Sequence, residues 1–261
     1  MIALDDAAWG APWRRIRVGE KLLLAGGLIL TALIAPPWPA APLVAVAAIA
    51  LNLGPARIPA RIWAVGAVTP LGFCTIGALS VAVRFGAAAP DAWFRLGPLS
   101  MDVTSAVTGA QLFARSVAGT LAVLLLATTT PMADLLGWAR NLGVPGPLIE
   151  VASLTYRLLF VLLGVATRMR AAQLARLGDA PGGGWAGLVR RWRAVGNAAG
   201  SLLVRSWDQA ARLTDGLAAR GIEGDMLLLP VRRAANWRFL SGAAGLIAGI
   251  WLVVAVMAVP G

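Results

Sequence analysis

Arg176 and Arg220 are the residues of this sequence best suited to bind a partner. Each follows an alanine, in the pairs Ala175-Arg176 and Ala219-Arg220, and a glycine lies one or two positions beyond each pair, as Gly221 does beyond the second. A guanidinium presents a planar fork of N–H donors that fits a carboxylate bidentately. The structural alternative is that each arginine complements a helix dipole and each glycine ends a helix. Because the pattern occurs twice, we favour docking on a partner.

Two long helices are predicted to carry these arginines. Apolar or small side chains recur every three or four residues over 148–172, and the next step of this pattern is Arg176. The same spacing runs over 188–217, and its next step is Arg220. Such stripes are typical of helices that pack on other helices. The sequence DAPGGG at 179–184 separates the two helices.

The composition indicates a membrane protein. Apolar residues make up 59% of the chain, charged residues 13%, and the mean hydropathy is +0.76. These values predict an all-α, polytopic helical membrane protein, and the arginine-rich part of the chain adds a charged block of long helices. We expect five spans, of which the first two are short for a hydrocarbon core of about 30 Å. The predicted spans are 22–35, 42–53, 62–83, 104–129 and 234–259.

The arginines predict the orientation and the domains. Fourteen of them lie between Arg140 and Arg238, and cytoplasmic segments collect Lys and Arg. We therefore expect a cytoplasmic N-terminus, an external C-terminus and three regions. These are a membrane region with four spans at 1–130, a cytoplasmic helical domain at 131–234, and a last transmembrane helix at 235–261.

One apolar segment, 148–166, could be taken for a sixth span. It carries Glu150 and Arg157, which lie on one helix face and are costly inside lipid. Crossing would also move the arginines from Arg168 to Arg238 outside. We therefore interpret the segment as a helix that does not cross the membrane.

Residues for catalysis or metal binding are scarce. The chain has no histidine and one cysteine, Cys74, which excludes a Cys/His metal site. Its one lysine, Lys21, has no phosphate-binding loop around it. We therefore expect no enzymatic activity, and no cofactor or metal bound by this chain.

A second function class stays open, namely a stand-alone membrane transporter or a membrane-embedded enzyme. It would use Arg115, Asp102 or Glu150, because a charge within a membrane is a functional candidate by default. A structural ion pair is the competing explanation for Arg115. The spans consist mostly of Ala, Leu, Val and Gly and show no internal repeat, and this argues against a stand-alone transporter.

Several segments resemble the transmembrane coupling (T) component of energy-coupling factor transporters, in its cobalt type. They are LTYRLLF at 154–160, RM at 168–169 with AAQLAR at 171–176, the stretch from Pro131 to LGVP at 142–145, and AARG at 218–221. The first arginine motif departs from the family pattern, since it reads Ala-Arg-Leu. The resemblance implies that the cytoplasmic helical domain at 131–234 is a coupling-helix domain. It assigns structural roles in that domain to Pro131, Pro145, Glu150, Tyr156 and Arg157.

The resemblance implies a division of labour among several proteins. Two cytoplasmic ATPase subunits bind the ATP, and each takes one helix-end arginine, Arg176 or Arg220, into a groove. A cobalt-binding, CbiM-like integral membrane subunit binds the substrate, and a small accessory membrane subunit accompanies it. The complex is expected in the bacterial cytoplasmic (inner) membrane, with no nucleic-acid partner. Cobalt, nickel and vitamins all stay open as substrates.

Overall fold

The structure is a computed structural model that describes residues 2–85, 94–96, 99–175, 184–221 and 235–258. These residues are almost entirely helical, and at least four of the helices are long and apolar enough to cross a membrane. The predicted all-α, polytopic membrane fold is therefore confirmed. The α-helices within the described ranges are α1 (Ile2–Gly10), α2 (Val18–Ile34), α3 (Pro37–Leu53), α4 (Ala60–Ala82), α5 (Val103–Thr129), α6 (Met132–Asn141), α7 (Gly146–Ala175), α8 (Gly184–Ala218) and α9 (Trp237–Ala258).

A small sheet between α4 and α5 was not predicted. Its strands are β1 (Arg84–Phe85), β2 (Phe94–Leu96) and β3 (Leu99–Met101), in the order β1-β3-β2 with both pairings antiparallel. Strands of two or three residues are too short to show an alternating apolar pattern. The sheet therefore leaves no clear signal in the sequence.

The chain divides into two compact units. The first comprises Met1–Trp138 and Val231–Gly261, and the second comprises Ala139–Pro230. The second unit is thus an insertion, which the chain enters after Trp138 and leaves before Val231. The domain limits given in the sequence analysis, at 130/131 and 234/235, stay a prediction.

In the first unit α5 is the central helix, since α2, α3 and α4 all pack against it. Its inward face carries small side chains, and Ala118 and Ala122 are fully buried beside Leu28 of α2 and Val44 of α3. Small residues allow helix backbones to approach closely, as is usual among membrane helices. This packing brings the start of α2 and the end of α3, which carry polar side chains, close to the end of α5.

The lengths of the helices bear on the predicted spans. Helix α2 has 17 residues, or about 26 Å at 1.5 Å per residue, and α3 has 17 residues with a kink at the non-helical Trp38 near its start; both agree with the short first two spans. Segment Gly146–Ala172 of α7 satisfies the length and hydropathy of a membrane span. The expectation that α7 does not cross the membrane therefore stays a prediction.

In the second unit α7 packs against α8. The two helices half-bury part of the predicted stripes, including Leu158 and Leu162 on α7 and Leu213 on α8. The start of each stripe is exposed: Leu148 and Val151 on α7 are 62% and 63% exposed, and Trp192 and Val195 on α8 are 69% and 60% exposed. Packing of these exposed parts on another helix stays a prediction.

Candidate docking site

Arg220 lies in the turn that ends the 35-residue helix α8. The helix proper ends at Ala218, and Ala219 and Arg220 continue its last turn in a tighter form. The N–H of Arg220 donates to the carbonyl of Leu217 at 3.1 Å, and that of Gly221 donates to the carbonyl of Ala218 at 2.9 Å. Gly221 has φ +68°, the left-handed conformation that ends helices and that glycine adopts without strain. The Ala-Arg-Gly sequence therefore fixes where the helix stops.

The side chain of Arg220 lines an open groove along one face of α8. The lining residues are spaced three and four apart, and at 1.5 Å per residue they extend over about 16 Å. The groove has a volume of about 260 Å³. It is lined by Gln209, Arg212, Leu213, Gly216, Leu217 and Arg220.

The groove is positively charged with an apolar floor. Leu213 and Leu217 supply apolar surface, while Arg212 donates to the side-chain oxygen of Gln209 at 3.4 Å. Arg220 is exposed, and among the described residues no side chain accepts a hydrogen bond from its guanidinium. A carboxylate on an apolar partner surface would satisfy both features of this groove.

The first arginine motif is described only in part. Ala175 is the last residue of α7 and is exposed. Arg176 lies outside the described residues, so its docking role stays a prediction.

Two of the residues assigned to the coupling domain, Pro131 and Pro145, each stand directly before a helix. Pro131 is buried, and its carbonyl accepts the N–H of Asp134 at 3.0 Å in the first turn of α6. Pro145 is exposed, and its carbonyl accepts the N–H of Leu148 at 3.1 Å in the first turn of α7. Both prolines thus occupy the N-cap position, where the carbonyl accepts the first bond of the helix and the missing N–H of proline leaves no helical bond unmade.

The remaining three coupling-domain residues lie on α7. Tyr156 is half-buried and meets the ring of Phe160 edge to face, with ring centroids 5.0 Å apart and an interplanar angle of 85°. Arg157 is exposed and Glu150 is half-buried. The edge-to-face geometry is favourable for two rings, so the pair contributes to the stability of α7.

The structure gives Arg115 and Asp102 separate structural roles. Asp102 caps α5, since its carboxylate accepts the N–H of Ser105 at 2.7 Å while its own N–H donates to the Ser105 hydroxyl at 3.2 Å. Arg115 lies thirteen residues further along α5, or roughly 20 Å at 1.5 Å per residue. Its Nη2 donates to the carbonyl of Ala35, at the end of α2, at 3.0 Å. The two charges therefore do not form one polar path.

Sequence reasoning missed a buried polar cluster at the start of α2. Lys21 is only 2% exposed, and its Nζ donates to the carbonyl of Thr129 at 2.7 Å. The neighbouring Glu20 is 6% exposed, and its Oε1 accepts the N–H of Asn236 at 2.9 Å. The available signal was that this one lysine stands, beside a glutamate, where the apolar run of α2 begins.

Metal binding has no obvious site in the described part of the chain. There, no group of three or more His, Cys, Asp or Glu side chains lies close enough together to hold a metal ion.

Comparisons with known proteins agree on one family. The family model for the cobalt transport protein CbiQ matches residues 11–229. The cobalt transport protein CbiQ of Rhodobacter capsulatus is 40% identical over 235 residues, which is 90% of each chain. CbiQ of Salmonella typhimurium is 27% identical over 87% of this chain and 100% of its own length. A putative fused cobalt transport protein, CbiMQ of Methanocorpusculum labreanum, is 27% identical over 86% of this chain and 37% of its own.

Proposed function

We propose that this chain, which belongs to the CbiQ family of cobalt transport proteins, is the transmembrane coupling subunit of an ATP-driven importer of the energy-coupling factor type. It passes the conformational change of cytoplasmic ATPase subunits to a membrane subunit that binds cobalt ions. The observation that carries this proposal is Arg220, an exposed cation held at the end of α8 beside an apolar groove.

Two ATPase subunits are the proposed docking partners. Arg220 takes carboxylates of one subunit, and Arg176 takes those of the other. ATP is bound by these partners and not by this chain, which acts without enzymatic activity of its own. The position of Lys21 supports this division, because its buried Nζ is held by the carbonyl of Thr129 and is not free to bind a phosphate.

A separate membrane subunit is the proposed binding site of the cobalt ion. The fused relative carries both names, CbiM and CbiQ, and this chain matches 37% of its length, so a CbiM-like partner is the natural candidate for the remaining part. The absence of histidine from this chain is consistent with that assignment, because cobalt(II) favours imidazole ligands. A small accessory membrane subunit completes the proposed complex.

The proposed location is the bacterial cytoplasmic membrane, with the N-terminus in the cytoplasm and the C-terminus outside. The second unit contains eleven arginines, from Arg140 to Arg220, and under the positive-inside rule they support a cytoplasmic location for it. We place α7 on the cytoplasmic side despite its apolar length, because Glu150 and Arg157 would be costly in hydrocarbon.

Arg220→Ala tests the docking role. Loss of the guanidinium leaves a partner carboxylate buried and unpaired, which costs about 2–5 kcal/mol of binding free energy. We therefore expect the affinity for the purified ATPase subunits to fall by roughly 30-fold or more. Arg220→Lys should rescue only part of it, because lysine lacks the fork. Affinity is measured by titration of the chain in nanodiscs.

Arg205→Ala is the matched control, since Arg205 is also exposed on α8 but does not line the groove. The double variant Arg176→Ala/Arg220→Ala should abolish ATP-driven uptake. Wild-type affinity and uptake in the double variant would show that the two arginines are only helix caps. Cobalt uptake by the chain alone, without ATPase subunits, would instead support the stand-alone transporter.

A further inference from the structure

Three consecutive residues at the start of α2, Gly19, Glu20 and Lys21, contact the two connections that carry the inserted second unit. We propose that this segment, the α2 junction, transmits displacement of the second unit to the membrane helices. The inference rests on the proposed coupling function and deepens it, because it names residues through which the coupling passes.

The outgoing connection runs from the end of α5 through α6 to Trp138, the last residue of the first unit before the insertion. Two residues of the junction contact this connection. Lys21 binds the carbonyl of Thr129, the last residue of α5, at 2.7 Å. A Cβ placed on Gly19 would lie 3.2 Å from the indole nitrogen of Trp138. The start of α2 therefore contacts both ends of the outgoing connection, Thr129 through a side chain and Trp138 through its backbone at Gly19.

The returning connection begins at Val231 and reaches α9 at Trp237. Glu20 accepts the N–H of Asn236, the residue directly before α9, at 2.9 Å. The adjacent residue, Lys21, holds the outgoing connection. One turn of α2 thus holds the chain where it departs for the second unit and where it comes back.

The charges of the junction match the helix ends that they contact. The C-terminal carbonyls of α5 carry partial negative charge and favour the ammonium of Lys21. The N-terminal N–H groups of α9 carry partial positive charge and favour the carboxylate of Glu20. Both side chains are at least nine-tenths buried, so these bonds are shielded from water and salt.

The bonds go to backbone atoms, and this suits them to transmit movement. Thr129 O and Asn236 N move with the main chain, so displacement of either connection acts directly on α2. Leu24 and Leu28, which follow on α2, are buried in the core that α2, α3, α5 and α9 share. Displacement of the α2 junction therefore moves residues of α2 that lie in the core of the membrane helices.

The test uses the complete complex, with ATPase and CbiM-like subunits, reconstituted in proteoliposomes. ATP hydrolysis and uptake of radioactive Co²⁺ are measured together. Lys21→Met keeps the unbranched shape and all but the last atom of the side chain's length, and it removes the charged hydrogen bond. We expect assembly and hydrolysis to be retained while the Co²⁺ imported per ATP falls about tenfold or more, as for the loss of a charge-assisted bond. Arg61→Met, an exposed substitution at the start of α4, is the control with an unchanged ratio.

Gly19→Ala provides a second variant, which keeps every hydrogen bond and adds one methyl group against Trp138. It too should lower the ratio of Co²⁺ to ATP. An unchanged ratio in Lys21→Met or in Gly19→Ala would overturn the inference. A parallel fall of assembly, hydrolysis and uptake in both variants would also overturn it, because that result would show that the α2 junction only stabilises the fold. A wild-type complex without ATP-dependent uptake would instead refute the proposed function itself, and the inference with it.

Discussion

Thr128 on α5 donates its hydroxyl to the side-chain oxygen of Asn52 on α3 across 2.8 Å, and both side chains are fully buried. The amide nitrogen of Asn52 donates in turn to the carbonyl of Ala48 at 3.1 Å. The backbone carbonyl of Asn52 accepts the N–H of Ile58 at 3.1 Å. This asparagine thereby joins the end of α3 to the end of α5 and to the loop that leads to α4.

Thr128→Val should destabilise the first unit. Valine has nearly the shape of threonine but leaves the Asn52 oxygen buried without its donor, which lowers the free energy of unfolding by about 1–3 kcal/mol. The measurement is denaturant unfolding in detergent micelles. In the double variant Thr128→Val/Asn52→Leu the loss should be smaller than the sum of the two single losses, because no buried polar group remains unpaired. Strictly additive losses would show that the two side chains are not coupled.

The helices were predictable because their signals are local. The predicted fourth span, 104–129, differs by one residue from α5, Val103–Thr129, since an apolar run is read directly from the sequence. The end of α8 was equally predictable, because Gly221, one residue after Arg220, is a local helix-stop signal.

The polar contacts were not predictable, because they depend on which helix ends meet. Asp102 was a candidate for a transport path, and its capping of α5 depends on the conformation at one residue. The partners of Lys21 and Arg115 are backbone carbonyls that lie 108 and 80 positions away in the sequence. Any residue supplies a backbone carbonyl, so no residue type marks such a partner in advance.

Arg115→Met distinguishes the two proposed functions, a coupling subunit and a stand-alone transporter. Loss of the hydrogen bond to Ala35 should lower the free energy of unfolding by about 1.5–3 kcal/mol, the usual range for a bond to a charged group. We expect the assembled complex still to import Co²⁺ with ATP, because Arg115 binds the carbonyl of Ala35 at the end of α2. Uptake and unfolding are measured on the same preparation.

Arg115→Lys is the companion variant, since it keeps a cationic donor and should recover part of the stability. Complete loss of uptake in Arg115→Met, with assembly and unfolding unchanged, would contradict the structural role. It would favour a transport path through Arg115.

Gly221→Ala should weaken ATPase binding through the conformation of the backbone alone. Alanine at φ +68° costs about 1–2 kcal/mol, so the turn that holds Arg220 at the end of α8 would loosen. We expect a lower affinity for the ATPase subunits although Arg220 itself is retained. The matched control is Gly200→Ala, in the interior of α8, where an added Cβ meets nothing within 4 Å and should stabilise the helix by about 0.5–1 kcal/mol. Affinity is titrated in nanodiscs, and helicity is followed by circular dichroism. If the two glycine variants bound the ATPase equally well, the left-handed turn at Gly221 would have no part in positioning Arg220.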